Sequence, residues 1–144
     1  MLFGKRKRVV NRILIVEDEP LLAFDNEVML GDLGYEVVAT LDSFEDAIEI
    51  LEREKIDLIL SDYRLSSQRT GLDLARAAKN RGIPIVFSTR HALPPESMQL
   101  ALGCINKPYS ERTLKLALNA LEKRLSGKNV KAPKGVELFV TSEG

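Results

Sequence analysis

Five residues in this 144-residue chain combine a reactive type with a telling position. Glu17 and Asp18 directly follow the apolar run Ile13-Leu14-Ile15-Val16, and Asp62 follows Leu58-Ile59-Leu60-Ser61. Thr89 follows Ile85-Val86-Phe87-Ser88, and Lys107 follows Cys104-Ile105-Asn106. If the first and third runs lie side by side, three carboxylates converge. Carboxylates held together repel one another and favour a hard divalent cation. Mg²⁺ takes octahedral oxygen ligands and keeps several waters, so one or two direct carboxylates suffice. Beside such a cation one carboxylate can act as a nucleophile toward a phosphoryl group. The charge of that transition state spreads over three oxygens and calls for a cation, a hydroxyl donor and an ammonium around it. Thr89 and Lys107 are of those types. Taken singly, each feature is ordinary: acids favour helix N-termini, and Asp is common in turns. Joint placement at the ends of four apolar runs is what argues for a site.

The elements that must position these residues are legible as patterns. Short apolar runs without alternation suit strands buried on both faces, as in a parallel sheet. Glu36-Val37-Val38-Ala39 and Cys104-Ile105 are weaker strand candidates. Phe44, Ala47, Ile48 and Leu51 follow helical spacing after an N-cap at Ser43, with Asp46 three residues on. Leu114, Ala117, Leu118, Leu121 and Leu125 do so after Ser110, leaving Leu116 and Ala120 off the core stripe. Leu21, Phe24 and Val28 mark a helix that should stop near Gly31 or Gly34, and Thr70 with Asp73 forms a capping box before Leu74, Ala75 and Ala78. Only a short helix fits between Pro94 and Leu102, with Pro95 at its start. Five strands alternating with five helices imply a doubly wound α/β sandwich, whose ligands collect at the carboxyl ends of the strands where the strand order reverses. One domain is expected over residues 10–126, after a basic tail at 1–9. Residues 127–144 read as a flexible tail, although Val136 to Val140 could add an edge strand.

Composition narrows the class. Lys plus Arg and Asp plus Glu both number 21, with 44% hydrophobic and 29% charged residues, as in a folded globular domain. No uncharged apolar run approaches the ~20 residues that span a bilayer. Cys104 is the single cysteine, which excludes an internal disulfide and a four-cysteine zinc site. The start, Met-Leu-Phe-Gly-Lys-Arg-Lys-Arg, has no signal-peptide core behind it, so a cytoplasmic location is expected. The zero net charge hides a segregation: residues 17–62 carry fifteen acids and two bases, while residues 63–144 carry fourteen bases and six acids. Glu45, Asp46, Glu49 and Glu52 read as the solvated face of a helix, not as part of a site.

The runs ending Glu17-Asp18-Glu19-Pro20, Ser61-Asp62 and Ser88-Thr89, together with Asn106-Lys107-Pro108-Tyr109, resemble the receiver domain of two-component response regulators over roughly residues 10–125. The resemblance implies a five-stranded parallel sheet in the order 2-1-3-4-5 with five helices. It implies Asp62 as phosphoacceptor from a sensor histidine kinase or phosphotransfer protein, Asp18 as direct Mg²⁺ ligand, Glu17 acting through water and the Arg64 backbone carbonyl as a further ligand. Thr89 matches the switch hydroxyl and Lys107 the phosphate-binding lysine. Such a protein catalyses its own phosphorylation and dephosphorylation without turning over a small substrate. It acts by protein contact or as a phosphate sink, with dimerisation through the helix 4–strand 5–helix 5 face as an option.

Several residues depart from the family pattern. Cys104 stands where most receivers carry Tyr or Phe, and reads as a small core residue. Arg90 stands where a small residue is usual, where it either contacts the phosphate region or points to solvent. Arg64 and His91 flank the path of the water that attacks an acyl phosphate. Gly71 comes one residue late. With Phe87-Ser88-Thr89-Arg90-His91, this is similar to a stand-alone alphaproteobacterial group whose fourth strand reads Phe-Ala-Thr-Gly-aromatic. The leading expectation is a single-domain response regulator, and the alternative is a pseudo-receiver that binds partners without phosphorylation. A metal-dependent phosphatase is disfavoured because Asp62 is followed by Tyr63 and Arg64, not by a second acid two residues on. A flavodoxin is disfavoured because Glu17-Asp18-Glu19 would repel a phosphate. Lys5-Arg6-Lys7-Arg8 supports at most nonspecific nucleic-acid contact.

Overall fold

The computed structural model describes residues 8–65 and 68–139. The basic stretch Lys5-Arg6-Lys7, part of the Asp62–Gly71 loop and residues 140–144 of the tail lie outside the described residues. Strands β1 (Arg12–Val16), β2 (Glu36–Leu41), β3 (Leu58–Asp62), β4 (Ile85–Thr89) and β5 (Gly103–Asn106) alternate with helices α1 (Pro20–Asp32), α2 (Phe44–Arg53), α3 (Gly71–Asn80), α4 (Ser97–Leu100) and α5 (Glu111–Leu125). A sixth strand, β6 (Val136–Leu138), follows. The sheet order is β2-β1-β3-β4-β5-β6, with β6 antiparallel to β5 and all other pairs parallel. The first five strands thus have the order that the resemblance implied.

The side-chain period of two in a strand explains why the runs are apolar throughout. Ile13, Ile15, Leu58, Leu60, Val86 and Ile105 face one layer, against Leu30 of α1 and Leu114, Ala117, Leu118 and Leu121 of α5. Their neighbours Leu14, Val16, Ile59, Ile85, Phe87 and Cys104 face the other, against Ala47 and Leu51 of α2 and Leu74, Ala75 and Ala78 of α3. Each fully buried aliphatic or aromatic side chain contributes roughly 1.5–3 kcal/mol. The caps hold as read: Ser43, Thr70 and Ser110 accept from the backbone N–H groups of Asp46, Asp73 and Thr113, and Asp73 closes its box back onto Thr70. Helix α1 ends in a Schellman turn, with Gly34 at φ +92° and Tyr35 N–H bonded to the Leu30 carbonyl.

Helix α1 forms where expected, with a face that its apolar residues did not indicate, and other expectations need correction. Leu21, Phe24 and Val28 of α1 face solvent, at 80%, 62% and 44% exposure, whereas Ala23, Asn26 and Leu30 face the sheet. The inward stripe was hidden by a polar member: Asn26 is buried because its Oδ1 accepts from the Tyr109 hydroxyl at 2.8 Å. Ala120 is buried on α5, leaving Leu116 alone exposed of that pair. Among the described residues the sheet has six strands, the expected five plus an antiparallel β6. Residues 136–139 of the expected tail belong to it, because pairing with β5 satisfies their backbone groups and Phe139 adds its ring to the core cluster around Cys104. The β5 edge within the helix 4–strand 5–helix 5 face is therefore occupied within the chain.

Candidate functional site

The carboxyl ends of β1, β3, β4 and β5 meet at one rim. Glu17 leaves β1 with its backbone N–H held by the Leu41 carbonyl, and its Oε2 accepts from the Glu19 N–H at 3.2 Å. Pro20 then opens α1, so the three acids are pinned between a strand end and a helix start. Oxygen atoms of Glu17, Asp18 and Asp62 lie within 4.8 Å of one another. The Lys107 ammonium is 2.9 Å from Glu17 Oε1 and 3.5 Å from Asp62 Oδ2, with both Lys107 and Glu17 side chains almost fully buried. Burial pushes the Glu17 carboxyl above its ordinary pKa, Lys107 opposes that rise, and the Asp62 charge adds to it. Lys107 is aimed by its backbone N–H bond to the Thr89 carbonyl and precedes a cis bond to Pro108. Next to it, Tyr109 reaches Asn26, and burial pushes its phenol up to about 12.

Asp18, Asp62 and Lys107 line a cavity of about 320 Å³ that also takes in Glu19, Arg64, Thr89, Arg90 and His91. The Arg64 N–H donates to Asp62 Oδ1 at 3.4 Å. Gly71 makes that loop possible. Its N–H bonds to the Tyr63 carbonyl at 2.6 Å, and a Cβ there would lie 2.8 Å from Tyr63 backbone and from the Phe87 ring. The Thr89 hydroxyl turns back on its own loop, donating to the His91 carbonyl at 3.0 Å and accepting from the His91 N–H at 3.1 Å. Arg90 reaches across the cavity mouth to Glu19 at 3.1 Å. Three hard oxygen donors around one point suit a divalent cation such as Mg²⁺.

The model of the response regulator receiver domain matches residues 13–119 of the chain. The chain belongs to this family. Its receiver is 36% identical over 107 residues to the transcriptional regulatory protein PdtaR of Mycobacterium tuberculosis, covering 71% of this chain and 52% of that one. It is also similar to two solved structures, each with a TM-score of 0.68 and 30% identity. The response regulator PhyR from Brucella abortus is matched over 84% of this chain and 51% of its own, and SdrG from Sphingomonas melonis Fr1 over 80% and 98%. The chain spans about half the length or less of the curated relatives PdtaR, LytR and PhyR.

Within this receiver the structure separates two groups of residues that the sequence placed near one site. Asp18, Asp62, Arg64, Thr89, Arg90, His91 and Lys107 line the acidic cavity, and buried Glu17 joins Asp18 and Asp62 in the carboxylate cluster beside it. Cys104 does not. It is 4% exposed, its thiol lies 3.8 Å from Glu137 Oε1, and burial with the Glu137 charge pushes it up to about 11. A buried thiol held protonated is a packing group, not a nucleophile. Sequence reasoning missed Asn26 altogether and Glu19 as the partner of Arg90, and offered Glu137 and Phe139 only as part of a possible edge strand, without their contacts to Cys104. A polar residue at a helix position facing the sheet was the available signal for Asn26. Nothing local marked the contacts of the other three, because each acquires its partner across the fold. Among the described residues, no helix is long and apolar enough to cross a membrane.

Proposed function

We propose that this receiver takes a phosphoryl group onto Asp62 from a phosphohistidine of a sensor histidine kinase or phosphotransfer protein, in a Mg²⁺-dependent reaction. An Asp62 carboxylate oxygen forms the new P–O bond as the donor's N–P bond breaks, and the imidazole leaves neutral, keeping the electron pair on that nitrogen and the proton already on its other ring nitrogen. The observation that carries this reading is the convergence of Glu17, Asp18 and Asp62 within 4.8 Å, with Lys107 3.5 Å from Asp62. Asp18 and Asp62, with Glu17 through water and the Arg64 carbonyl, are the residues that would hold Mg²⁺. When bound, Mg²⁺ neutralises carboxylate and phosphoryl charge. Lys107 supplies a second positive charge to the phosphoryl oxygens, and Thr89 supplies a hydroxyl donor. The output is protein contact or phosphate storage for the kinase. Similarity to SdrG over 98% of that solved chain, and to its BeF₃-activated conformation at 32% identity and TM-score 0.67, supports a receiver that is switched at this site.

The deciding experiment is timed phosphotransfer from candidate kinases, with intact-mass detection and Asp62→Asn as control. A phosphoryl mass increment that needs Mg²⁺ and Asp62 is expected, and equal labelling of the variant sinks the assignment. A second reading, a binding module that works without phosphorylation, draws on one observation: Arg90 and Glu19 bridge the mouth of the cavity, and the Thr89 hydroxyl is turned onto His91. Resistance to every phosphodonor, with partner binding intact, would favour it.

A further inference from the structure

The loop after β4 is a wall common to two cavities. Arg90, His91 and Ala92 line the acidic cavity with Asp62 and Lys107. The same three residues, with Leu93 and Cys104, line a second cavity of about 360 Å³ whose other side is Glu137 and Phe139 of the C-terminal segment. That segment is seated, not draped. Asn106 N–H bonds to the Gly135 carbonyl at 2.9 Å, Phe139 N–H bonds to the Leu102 carbonyl at 2.8 Å, and Arg124 donates to the Phe139 carbonyl at 3.0 Å. Phe139 is 5% exposed. Gly103 of β5 is shaped to this contact: a Cβ there would lie 2.2 Å from the Glu137 carbonyl oxygen and 3.2 Å from Leu138 Cα. A side chain at position 103 and β6 in its present place are mutually exclusive.

We propose that residues 135–139 form a strap over the β5 edge, and that phosphorylation of Asp62 loosens it through the loop after Thr89. This rests on the phosphoacceptor reading above. The Thr89 hydroxyl has one proton, now given to the His91 carbonyl. A phosphoryl group on Asp62 brings anionic oxygens into the same cavity, and a charge-assisted bond to one of them is stronger than the neutral bond to His91. When Thr89 turns toward the phosphoryl group, the tie that shapes residues 90–92 is lost and the loop follows Thr89 toward Asp62. That motion withdraws the wall from the second cavity and uncovers Glu137 and Phe139. β6 has three residues and lies at the sheet edge, where a short element can open without unfolding the rest of the sheet. Its release exposes the N–H and C=O groups of β5, an edge able to pair with another strand.

Amide hydrogen exchange of the full chain, with and without Mg²⁺ and beryllofluoride as a phosphoryl mimic, tests this. Addition is expected to speed exchange at Asn106 and Phe139 by about tenfold or more, with Ile59 of β3 unchanged. Thr89→Ala should abolish the acceleration. Unchanged protection at Asn106 and Phe139, while the amides of Arg64 and Lys107 respond, would overturn the strap and leave the phosphoacceptor reading standing. No response at Arg64 or Lys107 would overturn that reading, and the strap's signal with it. Gly103→Ala gives an independent arm. Asn106 and Phe139 should exchange rapidly without any mimic while Ile59 stays protected, and persistent protection at β6 would refute the seating itself.

Discussion

Lys107 stands nearer to Glu17, at 2.9 Å, than to Asp62, at 3.5 Å. Under the proposed function, this lysine is therefore parked on Glu17, within reach of the proposed phosphoacceptor Asp62. Burial of the pair makes this arrangement sensitive: the Lys107 side chain is 5% exposed and that of Glu17 1%. Removing one partner of a buried pair leaves the other uncompensated.

Lys107→Met should accordingly separate metal binding from phosphoryl transfer. It removes a cation that competes for the acidic cluster, so Mg²⁺ affinity is expected to hold or rise. The rate of phosphorylation should fall on the order of 10²-fold, the usual loss for one group stabilising transition-state charge. Calorimetric Mg²⁺ titration and initial labelling rates measure the two effects. A parallel fall in both would show that the lysine acts only by maintaining structure.

Asp18→Asn should weaken Mg²⁺ by at least the ~10–100-fold typical of losing even an outer-sphere partner. Asp18 lies in the cluster but is exposed, so folding stability should change little. Metal titration alongside urea unfolding checks the separation.

Arg90→Ala breaks the 3.1 Å pair with Glu19, whose members are each about half exposed. Such pairs contribute roughly 0–1 kcal/mol, so the urea midpoint should barely move. Labelling by a small phosphodonor should instead become faster, because the bridge spans the cavity mouth. An unchanged labelling rate would show that Arg90 does not restrict access.

Tyr109→Phe removes the hydroxyl that donates to buried Asn26 at 2.8 Å. Leaving the Asn26 carbonyl oxygen without that donor costs about 1–3 kcal/mol, readable as a lower urea midpoint with unchanged slope.

Alkaline pH should destabilise the fold in a defined window. The Cys104 thiol moves from its ordinary 9.0 up to about 11, and the Tyr109 phenol from 10.0 up to about 12, both chiefly through burial. The folded state thus keeps protons that the unfolded chain releases, so stability falls as pH rises from about 9 to 12. Urea midpoints across that range measure it. Thiol alkylation of the native protein should stay slow at pH 9 and accelerate only toward pH 11.

How much of this was legible in the residues varied with the range of the interaction. The caps at Ser43, Thr70 and Ser110 were readable because each partner lies three residues away. The strand ends were readable because a run buried on both faces must stop where polar residues begin. The inward face of α1 was not legible, since Asn26 looks like a surface residue until Tyr109, far along the chain, is brought against it. The docking of Phe139 was underrated for the same reason: a Lys-, Gly- and Pro-containing segment carries no internal sign of the edge it will pair with.

The sequence by itself determined the chemistry that can occur here. It places Glu17, Asp18, Asp62, Thr89 and Lys107 at the ends of buried strands, and local apolar patterning then dictates a parallel α/β sheet. Only the tertiary structure decided which groups those residues meet: Lys107 on Glu17, Thr89 on His91, Arg90 on Glu19 and β6 on β5. Strand ends and helix caps are local properties, governed by torsions and by neighbours a few residues away. Pairings across the sheet depend on register and on packing between distant segments, which no local pattern encodes.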